Sequence, residues 1–414
     1  MTDGNPNIPA IGVVAFVAAL GGTDIIAQEL NYTQIERGRY LATAGNCVAC
    51  HTDIENDGIP FAGGRGLETP FGIIYSQNLT PDDETGIGHW TRDDFYRAMN
   101  EGVDRHGEHL YPAFPYVYFT IVTREDVDAI YEYLRTLEPV QSVVPENELP
   151  FPLDVRQSLL GWKTLFFEEA EFVPDPDQSE VWNRGRYLVD GLGHCGACHT
   201  GKNALGGDQE DEYLRGGTLE NWYAPNIRGG LNGGISHWEI EDIVDFLGVG
   251  RARHTAPMQR MGEVVGLSTQ YLTEGDLEAI AVYLKSLDDR APEVPDPVDE
   301  DRYQAGKAIY FDNCAACHAA DGSGVPYIFA PLDGSNKVTA EDPSTMLRVI
   351  LGGAKAEPTD LAPGPLAMPP FAWKLTDEQI ADLASYMRQA WSNSAGAISP
   401  DAVADMRAYL EEHR

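Results

Sequence analysis

Three pentapeptides share one spacing: Cys47-Val48-Ala49-Cys50-His51, Cys195-Gly196-Ala197-Cys198-His199 and Cys314-Ala315-Ala316-Cys317-His318. Two thiols one helical turn apart can each add to a vinyl group of one haem, and the adjacent imidazole then faces the iron. The spacing therefore predicts three haem c groups, bound through Cys47, Cys50, Cys195, Cys198, Cys314 and Cys317, with His51, His199 and His318 as proximal ligands. These motifs use all six cysteines of the chain. A redox dithiol has no need of a trailing His in every copy, and a zinc site needs ligands converging from separate segments.

Each iron keeps one further axial position. A Met there raises the reduction potential and suits electron transfer. The chain has 8 methionines, so each can be weighed. Met368 lies in Leu366-Ala367-Met368-Pro369-Pro370, off any helical stripe, which makes it a poor core residue and the expected ligand of the third haem. For the second haem Met258 and Met261 compete, and Met261 is preferred. The first module departs from the pattern. Its Ala113-Phe114-Pro115 matches Ala367-Met368-Pro369, and a phenyl ring cannot ligate iron. Either the first iron has five ligands or another residue serves. His109 is the nearest candidate, ahead of His106 and Met99. Met99 follows Phe95 at helical spacing and reads as core.

The elements that must position these groups repeat along the chain. Cys47 and Cys195 are 148 residues apart, and Tyr75 and Tyr223, Asn78 and Asn226, and Trp90 and Trp238 share that separation. Repeats at fixed spacing indicate duplicated units. Gly38-Arg39-Tyr40 before the first motif is echoed by Gly185-Arg186-Tyr187 and, more loosely, by Gly306-Lys307-Ala308. Each glycine lies on an expected helix where a second helix could approach closely. Thr123, Thr273 and Thr376 each offer an N-cap hydroxyl with a partner three residues on. Tyr133, Tyr283 and Tyr386 follow ten residues after each Thr and read as packing residues.

The expected fold is mainly all-α: three tandem cytochrome c-like domains, each enclosing a covalently bound haem c. The expected boundaries are residues 31–145, 179–290 and 299–392. Residues 146–178, rich in Pro but carrying Leu159-Leu160-Gly161-Trp162, read as a linker packed across the first two domains. Residues 393–414 form a tail with a helix from Pro400. Residues 1–27 carry a short apolar run, too short for a comfortable membrane span. That run suits an export signal cleaved after Ala27, although no Lys or Arg precedes Arg37, and a surface anchor is the alternative.

The chain of 414 residues carries 65 acidic and 29 basic side chains, a net charge of −36. This argues against nucleic acid as a partner, since phosphate binding wants the opposite sign. It permits docking to basic proteins, though a well-solvated acidic surface is the simpler reading.

Several separate blocks, in order, resemble one known family: the three-haem cytochrome c subunit of membrane-associated bacterial dehydrogenases. The blocks include Gly38-Arg39-Tyr40-Leu41, Thr69-Pro70-Phe71-Gly72, Gly86-Ile87-Gly88-His89-Trp90, Leu110-Tyr111-Pro112-Ala113 and Ser268-Thr269-Gln270-Tyr271-Leu272-Thr273. The resemblance covers roughly residues 33–392. It implies a periplasmic electron-transfer subunit at the outer face of the cytoplasmic membrane, with no substrate chemistry of its own. Its electrons would come from a catalytic subunit of the pyrroloquinoline quinone, flavin or molybdenum type and pass to quinone, a terminal oxidase or another cytochrome. It carries ligand roles onto His51, His199, His318, Met261 and Met368, while Phe114 departs from the Met of many members. The competing reading is a haem enzyme acting on peroxide or a sulfur compound at an open or His-ligated first haem. A filament-forming cytochrome is a third reading.

Overall fold

The structure, a computed structural model, describes residues 22–219, 222–291 and 293–413, with side chains of the leading helix described from Tyr32 onward. The expected export segment lies mostly outside the described residues. Its last residues belong to a helix, Gly22–Ala44, that continues through the predicted boundary into the first module.

Each module is built on one crossing of two helices. In the first, Gly22–Ala44 crosses Arg124–Leu134; in the second, Glu180–Arg186 crosses Glu274–Lys285; in the third, Glu300–Asn313 crosses Asp377–Gln389. The three glycines lie at these crossings. A Cβ placed at Gly38 would stand 1.8 Å from the carbonyl oxygen of Ala129, one at Gly185 1.9 Å from that of Ala279, and one at Gly306 2.1 Å from that of Asp382. The helices touch backbone to backbone, which no residue with a side chain permits. An arginine clasps each crossing: Arg37 to Asp126 at 2.6 Å, Arg184 to Asp276 at 2.7 Å and Arg302 to Asp382 at 2.7 Å. The second helix of each pair starts where the sequence places it, with the hydroxyls of Thr123, Thr273 and Thr376 accepting from the backbone N–H of Asp126, Asp276 and Gln379.

The repeat is not perfect. Tyr40 stands seven residues before Cys47, but Tyr187 stands eight before Cys195. The extra residue is absorbed by a π-helical stretch, Tyr187–Leu192, just ahead of the second motif. Single inserted residues in helices commonly take this form.

The first and second modules share one hydrophobic core, whereas the third has its own. Their contact is reciprocal. The Tyr40 hydroxyl donates to Asp276 at 2.6 Å, and the Tyr187 hydroxyl donates to Asp126 at 2.6 Å. Burial alone would raise the Asp276 carboxyl. Hydrogen bonds from Arg184 and Tyr40 outweigh burial and hold it below its ordinary value. Residues between the two crossings touch both modules. Their helix Ser158–Phe166 sends the Lys163 ammonium to the Glu101 carbonyl in the first and the Trp162 indole N–H to the Leu205 carbonyl in the second. The tail helix Pro400–Glu412 completes the third core with buried Val403 and Met406, and Arg407 ties it to Asp377 at 2.8 Å. No described helix is long and apolar enough to cross a membrane.

Regular strands are confined to short hairpins. Gly66–Thr69 pairs with Gly72–Tyr75, Gly216–Leu219 with Trp222–Pro225, and Ala354–Lys355 with Ala367–Met368, all antiparallel. The Gly38→Ala protein should unfold at a lower denaturant concentration, with a loss of about 1–3 kcal/mol from overpacking. Equilibrium denaturation followed by far-UV circular dichroism checks this, and an unchanged midpoint would mean that the crossing yields to a methyl group.

Candidate haem sites

Each motif forms a single turn of helix: Cys47–Cys50, Gly196–His199 and Ala315–His318. The histidines share one hydrogen-bond arrangement. Nδ1 of His51 lies 2.6 Å from the Gln77 carbonyl oxygen, Nδ1 of His199 lies 2.7 Å from that of Pro225, and Nδ1 of His318 lies 2.8 Å from that of Ala330. A carbonyl can only accept, so Nδ1 carries the proton and Nε2 keeps its lone pair. That is the tautomer an iron ligand needs, with its orientation set by a backbone partner. Burial pushes all three imidazoles below the ordinary histidine value, which favours the neutral ring.

The loops that supply these carbonyls are themselves pinned. Gln77 follows its hairpin, Pro225 ends its own, and each precedes an asparagine of the repeat. Asn78 is buried, donates to the Val140 carbonyl at 2.8 Å and accepts from the Thr80 N–H at 2.9 Å. Asn226 donates to Asp289 and accepts from the Arg228 N–H at 2.9 Å. The cysteines form no disulfides. Burial pushes the thiols of Cys47 and Cys195 up to about 12 and that of Cys314 up to about 11. A redox-active dithiol requires the reverse shift.

The third motif opens on a cavity, largely apolar, lined by Cys314, Cys317 and His318 on one side and Met368 on another. Met368 is held there by its strand, since it pairs with Ala354 in the short hairpin. The second module supplies part of the wall: Ala252, Arg253, Thr255, Ala256 and Met258 line the same cavity. Met258 reaches it through a backbone bridge to Ala356. The two methionines that compete in the sequence thus part company, and Met258 lies at the third site. A chamber with two thiols, an imidazole with a free Nε2 and the methionines Met258, Met346, Met368 and Met387 on its wall fits a covalently bound haem.

Met261 lies on the helix Gln259–Leu267, partly buried against the core shared by the first two modules. That helix packs against the turn Cys47–Cys50, and its Glu263 pairs with Arg65 of the first module at 2.8 Å. Phe114 packs its ring against Phe119 with centroids 5.5 Å apart. Met99 is buried, in keeping with a core role, and lies on the helix Arg92–Glu101. His106 is exposed, with its backbone N–H donating to Asp104. His109 has a different setting from the motif histidines. Its Nδ1 lies 3.3 Å from the Lys163 ammonium, and burial together with that ammonium lowers its pKa. The ammonium can only donate, so Nδ1 accepts and the ring proton sits on Nε2. This is the opposite tautomer to that of His51, His199 and His318.

His194, which the sequence motifs do not single out, lies between the first two attachment sites. Its ring packs against Phe119 at 5.4 Å, and its Nε2 lies 3.3 Å from the Gly45 carbonyl oxygen. His194 immediately precedes Cys195, and Gly45 precedes Cys47 by two residues, so the segments leading into the first two attachment turns touch. Tyr118 joins the same contact, its hydroxyl taking a hydrogen bond from Lys202 at 3.0 Å beside the second motif. The one available signal in the sequence is that His194 has no counterpart before Cys47.

Three helical modules, each presenting two thiols and an oriented imidazole, define a c-type cytochrome with three haem-attachment sites. The sequence profile of the cytochrome c family matches residues 35–138 and 303–391. The chain is 38% identical to the gluconate 2-dehydrogenase cytochrome c subunit of Pantoea cypripedii, over 96% of this chain and 93% of that protein. It is 37% identical to the cytochrome c subunit of the quinone alcohol dehydrogenase of Gluconobacter oxydans, over 92% and 84%. It is 35% identical to the fructose dehydrogenase cytochrome subunit of Gluconobacter japonicus, over 95% and 88%. The chain belongs to this family of dehydrogenase cytochrome c subunits and is an electron carrier whose cofactor is haem c. Intact-mass measurement of the mature chain should show three haem additions, and the Cys314→Ser, Cys317→Ser protein should show two. Three additions in that variant would detach the third motif from haem binding.

Proposed function

We propose that this chain relays electrons from the catalytic subunit of a periplasmic dehydrogenase, at the outer face of the cytoplasmic membrane, to quinone or to an oxidase or another cytochrome. The catalytic partner would carry pyrroloquinoline quinone, flavin or a molybdenum cofactor. The relatives support this, since gluconate, alcohol and fructose dehydrogenases each use a cytochrome subunit of this length and pattern. The observation that carries the reading is the contact between the segments beside the attachment turns. His194 against Gly45 brings the first two sites together, and residues 252–258 of the second module wall the third.

Bound haem supplies one-electron chemistry at its iron. The chain's own residues do the rest. His51, His199 and His318 offer Nε2 to the proximal side, while Met261 at the second site and Met368 at the third offer thioethers to the distal side. The departure of Met258 to the third cavity supports Met261 for the second. We place the domains at 31–145, 179–290 and 299–392, each holding one of the close approaches at Gly38, Gly185 and Gly306. The first module carries Phe114 at the sequence position where Met368 stands in the third, and the helix of Met261 packs against its Cys47–Cys50 turn. His109 has its Nδ1 engaged by the Lys163 ammonium.

Gently solubilised from its membrane, the chain should co-purify with a larger dehydrogenase subunit. That partner's substrate should reduce the haems of the complex but not those of the isolated chain. Reduction of the isolated chain by such a substrate would sink the relay reading in favour of an enzyme. A second prediction concerns coordination. Carbon monoxide should bind the reduced protein at one site and shift its absorption there alone, and Met368→Ala should add a second. A reduced protein that takes up no carbon monoxide would give the first site a ligand that Phe114 and His109 do not supply.

A further inference from the structure

Most cations placed near these sites have carboxylate partners. Arg65 pairs with Glu263 at 2.8 Å, Arg215 with Asp289 at 2.6 Å and Arg253 with Asp242 at 2.7 Å. Lys337 is different. It lines the third cavity, and its ammonium donates to the Thr255 hydroxyl at 2.8 Å and lies 3.4 Å from the Ala256 carbonyl oxygen. Both acceptors are neutral, and both belong to the second module. Among the described residues no Asp or Glu is ion-paired with Lys337. The side chain keeps partial exposure while lining the cavity. Its ammonium is otherwise enclosed, and burial lowers it to about 8. A buried charge without a counter-ion is costly, and such charges are normally paired. Arg253, the other cation on this wall, is already neutralised by Asp242. The cavity is therefore left with one uncompensated positive charge.

We propose that Lys337, cradled by Thr255 and Ala256, is the anion-binding end of the third cavity, where it pairs with a propionate carboxylate of the haem. The inference rests on the third cavity holding haem. It adds that the second module, through this cradle, helps to set the potential of the third site. A cation paired to a propionate removes negative charge near the iron. Loss of that cation leaves the carboxylate uncompensated, favours the oxidised state and lowers the reduction potential.

The test is potentiometric titration of the intact three-haem protein with Lys337→Met and Lys337→Arg. The third potential is identified as the one that a Met368 substitution moves. Lys337→Met should shift the reduction equilibrium of that site about tenfold toward the oxidised form, about 59 mV for a one-electron couple. Lys337→Arg should keep most of the parent value. No movement in Lys337→Met, or equal movement in both variants, would overturn the proposal. If Lys337→Met emerges with two haems by mass, Lys337→Gln replaces it. Loss of the third haem from both neutral variants but not from Lys337→Arg also supports an anionic partner, and loss from all three variants overturns it. A parent protein with only two haems by mass would instead remove the premise that this cavity holds one.

Discussion

Direct backbone contact between two helices is the constraint on which each module depends. At Gly38, Gly185 and Gly306 the opposite helix's carbonyl stands closer than any side chain tolerates. This close approach fixes the angle at which the leading helix delivers its motif and leaves room beside it for a flat prosthetic group. The arginine clasps to Asp126, Asp276 and Asp382 then hold the crossing at its polar edge. Without the glycines the same helices would pack at ordinary side-chain distance, and the cysteine turns would shift with them.

The imidazoles depend on a second, smaller device. A backbone carbonyl from a loop holds Nδ1–H at every motif. In the first two modules the carbonyl comes 26 residues after the histidine, beyond a hairpin, and in the third only 12 residues after it. Loops of different length thus deliver the same acceptor. Tautomer is a local property, and His109 illustrates the point: a lysine donor at the same ring atom reverses it.

The three modules do not have equal relations. The first two are fused through one core and exchange tyrosine–aspartate hydrogen bonds in both directions, and His194 beside the second turn reaches Gly45 beside the first. The third keeps a separate core and joins through the wall of its cavity. Further hydrogen bonds secure that joint, among them the Thr345 hydroxyl to the Tyr223 carbonyl at 2.9 Å and the Asn336 amide to the Asn226 carbonyl at 3.2 Å. An electron carrier needs its centres held at fixed separations, and polar contacts with directional geometry do this better than a flexible tether.

By itself the sequence determined the three attachment motifs, the glycines of the helix crossings, the threonine caps and the mainly helical class. These depend on residues close together in the chain or on spacing that repeats, and local chemistry is enough to read them. It also carried the departure at Phe114, because a duplicated chain allows one copy to be checked against another. Only the tertiary structure decided that Met258 belongs to the third cavity, that His194 joins the segments leading into the first two turns, that the tail helix completes the third core and that Lys337 stands without a counter-charge. Each of these joins residues from different modules or distant loops. Pairing across such distances depends on how whole modules pack, and no local spacing encodes it.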